Sequence, residues 1–349
     1  MKTILIHSIS GNDDSFFNPN ERDGYNDPYI YLREKLYQKG YLLKSSNGAS
    51  LDNCEWVLFY DEPSVNPYKG LRGLASRLKS IVLSKPISKN FYKECITRGM
   101  RNRMALFLWE PPSVLPLNWV SDLHKLFPII FTWNDKYVDE KKFIKIFWPQ
   151  TRKFLDVPLI DFKDKKLLIN ISMNKSSTHP RELYSERLNS IRHFEKYQLD
   201  NFDLYGIGWD KSTIEADIIM NKNHDEYPSY RGKVLNKWDV LPKYRFSLCY
   251  ENIFDEPGFV TEKIFDCLRA RCIPIYLGAS NITDYVDKNT FIDRRDFKSN
   301  KELEDYLVGM SEIKYNFIQG AIQKYLASDR FSKFLPENFA NTIIKSLKL

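Results

Sequence analysis

A chain of 349 residues, 43% hydrophobic and 15% aromatic, holds enough apolar material for two ordinary domains of roughly 150 residues each. Its net charge of +7 suits a small anionic ligand or an anionic membrane surface; no dense basic stripe with interleaved aromatics points to nucleic acid. The five cysteines (Cys54, Cys95, Cys249, Cys267 and Cys272) are odd in number and form no C-x-x-C, which argues against a disulfide framework or zinc ribbon and fits a reducing cytoplasm.

The opening MKTILIHSIS lacks the length and small-residue cleavage site of a signal peptide, and no apolar run approaches the roughly 18 residues of a membrane helix. Residues 3–8 predict a strand with His7 near its end, a residue read as structural. The polar loop 11–26 follows, and Tyr25 and Asp27 are candidates for substrate contact. Asp27 is expected to cap a helix opening at Pro28 and stopping at Gly40. Strands are predicted at 56–60 and 104–109, a helix at 118–126, and strands at 129–132 and 143–147. Such alternation favours parallel βα units. The charged connector 149–166 marks a domain boundary, drawn between 155 and 156. A second series then runs through a strand at 167–172, a helix at 181–197 and a strand at 202–205 that closes on Gly206 and Gly208. Strands at 245–250 and 273–277 flank a helix opened by Thr261, Glu262 and Lys263. Helices are predicted at 301–310, 315–327 and 337–349, the last with Phe339, Ile343, Ile344 and Leu347 on one face.

Segment 245–278 carries the most chemistry. It reads as strand, loop, helix and strand, with Glu251, Asn252, Glu262 and Lys263 gathered at one edge. In open α/β sheets that edge is where ligands bind. A helix N-terminus favours anions, so a lysine in its first turn needs a reason, and a bound diphosphate supplies one. Arg181, after a polar loop, has the planar fork that suits phosphate oxygens. Glu262 accepts only, which suits ribose hydroxyls, and Asn252 both donates and accepts. Gly206 offers a backbone approach to a nucleotide; Glu251 either bonds the donor or caps the helix. In the first half, Glu110 follows an apolar strand and precedes Pro111 and Pro112. Partial desolvation beside Trp109 would strengthen it as a general base. Arg187 and Arg192 read as solvated or salt-bridged helix residues. No D-x-D and no cluster with metal-ligand spacing occurs, so no metal or other cofactor is expected.

The strings YEN at 250–252, FVTEK at 259–263, IPIYLG at 273–278 and FIDRRDF at 291–297 resemble the donor-binding signature of the α-1,3/α-1,4-fucosyltransferases, glycosyltransferase family 10 of bacterial type. One departure is Phe259, where the family usually has Tyr. The resemblance implies an α/β chain of the GT-B class, two Rossmann-like domains facing across a cleft. Residues 1–155 would be the acceptor side and 156–334 the donor domain, with a helix at 335–349 packing back on the first. It implies an inverting, metal-independent transfer of L-fucose from GDP-fucose to a glycan acceptor, lipid-linked or not, in surface-glycan or lipopolysaccharide synthesis at the cytoplasmic membrane face. Glu110 would be the catalytic base. Arg181, Asn252, Phe259, Glu262, Lys263, Gly206 and Glu251 would bind the donor. Two alternatives stand beside it: the same architecture with another nucleotide sugar, or a non-catalytic nucleotide- or glycan-binding protein. The absence of G-x-G-x-x-G speaks against a dinucleotide oxidoreductase.

Overall fold

The computed structural model describes residues 1–8, 13–20, 22–63, 91–152, 157–210 and 226–349. They form two compact units. The first comprises Met1–Glu21, Asn26–Phe147 and Pro336–Leu349; the second comprises Arg22–Tyr25 and Trp148–Leu335. The units part between Phe147 and Trp148; the boundary expected between 155 and 156 lies outside the described residues.

Among the described residues the first unit holds six strands: β1 Lys2–Ser8, β2 Tyr41–Ser45, β3 Cys54–Tyr60, β4 Met104–Leu108, β5 Ile129–Thr132 and β6 Phe143–Lys145. Their order is β2-β1-β3-β4-β5-β6, and every pairing is parallel. The central runs MALFL and IIFT are apolar almost throughout, as strands covered on both faces require. Register puts Tyr60 beside Phe107 and Phe107 beside Phe131, and these rings stack at 4.6 and 4.5 Å. Such cross-strand aromatic pairs pin a parallel register that hairpin turns cannot set. Helices α1 Asp27–Gln38, α2 Phe91–Thr97 and α3 Ser121–His124 belong here.

Three local expectations are corrected in this unit. Asn26, not Asp27, occupies the α1 N-cap position; its side-chain amide donates to the carbonyls of Ser15 and Asn18, so it ties down the preceding loop instead of capping. The helix expected at 118–126 is a 3-10 turn, Pro116–Trp119, followed by the single turn of α3. Edge strand β2 was not predicted: YLLKS has no clean two-residue alternation, and its strand form comes from pairing with β1.

The second unit holds β7 Lys166–Ile171, β8 Phe202–Tyr205, β9 Tyr244–Tyr250, β10 Ile273–Leu277 and β11 Ile292–Asp293, in the order β11-β10-β9-β7-β8, all parallel. Its helices are α4 Tyr184–Tyr197, α5 Glu262–Arg269, α6 Ile282–Tyr285, α7 Asn300–Val308, α8 Glu312–Leu326 and α9 Asp329–Ser332. Helix α4 opens three residues later than expected, leaving Arg181 in the preceding turn. The short segment Arg22–Tyr25 joins this unit, where the Asp23 carboxylate accepts the Lys237 N–H at 3.1 Å. The last helix, α10 Pro336–Leu347, belongs to the first unit, with Phe339 edge-on to Tyr29 at 5.5 Å.

Each sheet reverses its strand order once. In the first unit the chain passes from β1 outward to β2, then returns to the other side of β1 for β3. In the second it goes from β7 to β8, then returns beside β7 for β9. The carboxyl ends of β1 and β3, and of β7 and β9, are therefore the two places where loops diverge and a ligand crevice opens.

Candidate active site

At the second switch point the loops after β7 and β9 are laced together. Glu182 and Ile253 form an isolated antiparallel bridge, the Leu183 N–H donates to the Asn252 carbonyl at 3.3 Å, and the Phe254 N–H donates to the Arg181 carbonyl at 2.8 Å. The Arg181 guanidinium donates to the Asp255 carbonyl at 2.9 Å and pairs with the buried Glu256 carboxylate. Asn252 lies in the same lacing through its backbone.

Glu251 lies wholly buried at the end of β9. Its carboxylate accepts the Thr261 N–H at 2.9 Å, the Thr261 hydroxyl at 2.8 Å and the Lys263 ammonium at 3.2 Å. Thr261 is the α5 N-cap, and its hydroxyl accepts the Lys263 N–H. The lysine in the first turn is thus explained inside the protein: Glu251 compensates its charge. Burial works against the Lys263 cation, but Glu251 and Glu262 outweigh it and hold the group above the ordinary lysine range. Glu262 stands 3.7 Å from Lys263. Glu251 is accordingly a buried cap and counter-ion that aims Lys263. The closing Gly278 is required for the same reason: a Cβ there would lie 2.5 Å from the Glu251 Cγ.

Two donor-side expectations and one helix-surface expectation change. Phe259 is fully buried, its ring edge-on to Trp148 at 6.1 Å, so it fills core space instead of facing a ligand. Gly206 has φ +132°, and a Cβ there would fall 1.8 Å from the Ser172 carbonyl oxygen; its glycine is explained by that backbone approach. Arg187, expected on the helix surface, is buried, and donates to the carbonyls of Tyr250 at 2.7 Å and Glu251 at 3.0 Å. Burial pulls its pKa down. Arg192 pairs with Glu195, as a surface arginine does. A cavity of about 40 Å³ beside these groups is lined by Asn174, Lys175, Ser176, Ser185, Arg187 and Trp209.

Glu110 lies in the first unit, two residues past the end of β4. Its backbone N–H donates to Asp61 Oδ1 at 3.1 Å, and its carbonyl accepts the Trp119 Nε1–H at 3.0 Å and the Asn118 amide at 3.3 Å. Asp61 and Glu62, neither of them singled out by the sequence pattern above, follow β3 directly at the first switch point. The signal was available: FYDEP repeats the pattern of FLWEPP, an apolar strand run into an acid and a proline. His7 bonds Ser46 at 2.8 Å and packs on Phe59 and Phe91, a structural setting.

Glu62 is 3% exposed, and burial, then the neighbouring Asp61, pushes its pKa up from 4.5 to about 7. Below pH 4.5 the carboxyl is protonated in folded and unfolded chains alike. Between pH 4.5 and about 7 the unfolded chain loses the proton first, so stability falls as pH rises. The whole interval corresponds to at most about 3 kcal/mol. Glu62→Gln should therefore match the parent in urea unfolding near pH 4.5 and exceed it by about 2–3 kcal/mol at pH 8. Equal stability at pH 8 would mean that Glu62 ionises freely.

Residues 162–319 match the family model described as glycosyltransferase family 10 (fucosyltransferase) C-term. The chain is 39% identical over 74 residues to the alpha-(1,3)-fucosyltransferase FucT of Helicobacter pylori, a stretch covering 21% of this chain and 15% of that protein. It is 44% identical over 68 residues to an alpha-(1,4)-fucosyltransferase of Arabidopsis thaliana, covering 20% and 17%. The matched stretches thus span less than a fifth of either relative. A crystal structure of an alpha1,3-fucosyltransferase with GDP superposes over 100% of this chain and 90% of its own, with TM-score 0.53 at 14% identity. A DNA-modifying beta-glucosyltransferase superposes over 99% and 100% with TM-score 0.53 at 11% identity. These likenesses give the fold, which is GT-B. Through residues 162–319, somewhat under half of its length, the chain is thus similar to the fucosyltransferases of glycosyltransferase family 10.

Proposed function

We propose that the chain is an inverting fucosyltransferase that moves L-fucose from GDP-fucose to a hydroxyl of a glycan acceptor, of the α-1,3/α-1,4 type. The observation that carries this reading is the second switch point, where Arg181 and Lys263 stay partly exposed, at 37% and 29% of their side chains, while Glu256 and Glu251 behind them are buried. Two cations braced from behind and open in front suit a diphosphate, which gains charge as the sugar leaves. Glu262 in the first turn suits the ribose hydroxyls and Asn252 the nucleotide or sugar. In the reaction the acceptor hydroxyl attacks the anomeric carbon as its proton passes to Glu110. The carbon–oxygen bond to GDP breaks, and Arg181 and Lys263 take up the charge of the leaving diphosphate. With those cations in that role, the reading calls for no metal ion. It places the enzyme at the cytoplasmic side, in surface-glycan or lipopolysaccharide synthesis. Among the described residues no helix is long and apolar enough to cross a membrane.

A panel of nucleotide sugars, each incubated with lactosamine-type and glucose-type acceptors in excess EDTA, tests the reading. Transfer or hydrolysis of GDP-fucose, and of no UDP-sugar, is the expected result. Activity confined to another donor would move the chain to the same architecture with a different nucleotide sugar. GDP binding by calorimetry with neither transfer nor hydrolysis would make it a binding protein, and a strict need for a divalent cation would displace Arg181 and Lys263 from the diphosphate.

A further inference from the structure

Residues past the end of a parallel strand lose the ladder that satisfies their backbone groups, and normally turn to water or a helix cap. The Glu110 backbone turns to side chains of its own unit. The pairing of β4 with β3 ends at Phe107 and its pairing with β5 at Leu108, so the Trp109–Glu110 peptide lies beyond the sheet. Its polar groups are held by side chains. Asp61 Oδ1 accepts from the Trp109 N–H at 2.7 Å, the Glu110 N–H at 3.1 Å and the Asn118 amide at 2.6 Å. The same Asn118 amide lies 3.3 Å from the Glu110 carbonyl, which Trp119 Nε1–H also reaches at 3.0 Å. Asn118 Oδ1 in turn accepts the Glu62 N–H at 2.7 Å, tying the amide back to the β3 end. Asn118 is fully buried.

This arrangement is costly in two ways. Asp61 is partly buried, and that desolvation raises its pKa against the pull of those three bonds. Its backbone is also in the left-handed region at φ +61°, uncommon for a residue with a side chain. A carboxylate drawn partly out of water is weak support for stability, since apolar packing does as well or better. Polar groups held in sparsely populated backbone conformations gather at functional sites, where a neighbouring group must be held still.

We propose that Asp61 and Asn118 form a clamp that positions Glu110, with Asp61 as the principal positioning residue. The proposal rests on Glu110 being the base in the reading above. Asp61 touches the backbone of Glu110 and needs no contact with substrate. It fixes where the Glu110 Cα stands, and a displacement of about 1 Å at a catalytic group costs about a hundredfold in rate.

The test is a double-mutant cycle with Glu110→Gln, assayed with GDP-fucose and N-acetyllactosamine, and with water as acceptor in donor hydrolysis. Asp61→Ala should lower kcat about thirtyfold to a hundredfold with the KM for GDP-fucose within about twofold. Asp61→Asn, which keeps an acceptor oxygen, should recover most of that loss. In the Glu110→Gln background Asp61→Ala should cost little more, because the group it positions is already gone. A purely structural Asp61 would give losses that multiply across the cycle, and that result overturns the clamp. So does an unchanged kcat in Asp61→Ala. Should Asp61→Ala not fold, Trp119→Phe removes only the donor to the Glu110 carbonyl and keeps an aromatic ring between Trp133 and Tyr137. It should lower kcat about fivefold at constant donor KM, the factor of one ordinary hydrogen bond; an unchanged kcat there counts against the clamp. Full turnover in Glu110→Gln itself sinks the base reading and the clamp with it, whereas a clamp failure leaves Glu110→Gln inactive.

Discussion

Glu110→Gln lowers the turnover of fucosyl transfer about a hundredfold or more while GDP affinity stays within about twofold, the scale expected for a lost general base. Glutamine has nearly the same shape. The Glu110 contacts to Asp61, Asn118 and Trp119 run through its backbone N–H and carbonyl and do not depend on the side-chain charge. What is lost is the capacity of the side chain to take a proton. GDP affinity stays because Arg181, Glu262 and Lys263 all belong to the other unit. Calorimetry with GDP and a steady-state assay with GDP-fucose separate the two quantities. Were the variant to turn over at the parental rate, the base would have to be sought among other carboxylates. Glu251 is a poor substitute, since it is wholly buried and occupied by Thr261 and Lys263. Glu62 becomes the next suspect: it follows β3, and burial holds it near 7, where an acid–base group works well.

The parts legible in the sequence were those where local pattern and final environment agree. The unit β9–α5–β10 declares itself because β10 is an uninterrupted apolar run, β9 is broken only by Arg245 and Ser247, and Thr261 is a residue type that caps helices. Roles that depend on distant partners were hidden. Asp61 gains its meaning from Asn118, 57 residues away, and Arg187 from strand-end carbonyls 63 and 64 residues away. A charged residue on a helix reads as solvated until the fold seats it against a strand end. Lys263 shows the converse: its position is evident from the helix start, whereas the buried Glu251 that braces its charge from behind becomes apparent only in the fold. Arg181 was assigned to the helix because its neighbours have helical spacing, yet its guanidinium is drawn to the loop after β9 and the helix waits until Tyr184.

Gly206→Ala destabilises the second unit by about 4 kcal/mol or more, a loss reserved for a few mechanisms, of which an unavoidable backbone clash is one. Gly206 follows β8, and its φ of +132° is a conformation that side chains rarely adopt. The added methyl would stand 1.8 Å from the Ser172 oxygen and 2.7 Å from its carbonyl carbon. Neither neighbour is free to retreat. The Ser172 N–H donates to the Tyr205 carbonyl at 3.0 Å, and the Ser172 carbonyl accepts the Trp209 indole N–H at 2.7 Å. The Gly206 N–H donates to the Gly232 carbonyl at 3.0 Å, and its own carbonyl accepts the Tyr230 hydroxyl at 2.9 Å. Relieving the clash means parting the carboxyl ends of β7 and β8 and breaking several of these bonds together. Thermal melting with and without GDP distinguishes this from a role in nucleotide contact. Under the steric account the variant melts well below the parent even without nucleotide, and any loss of GDP binding follows from that. A variant that melts with the parent but binds GDP weakly would return Gly206 to the donor site, as a glycine kept small for the nucleotide and not for Ser172.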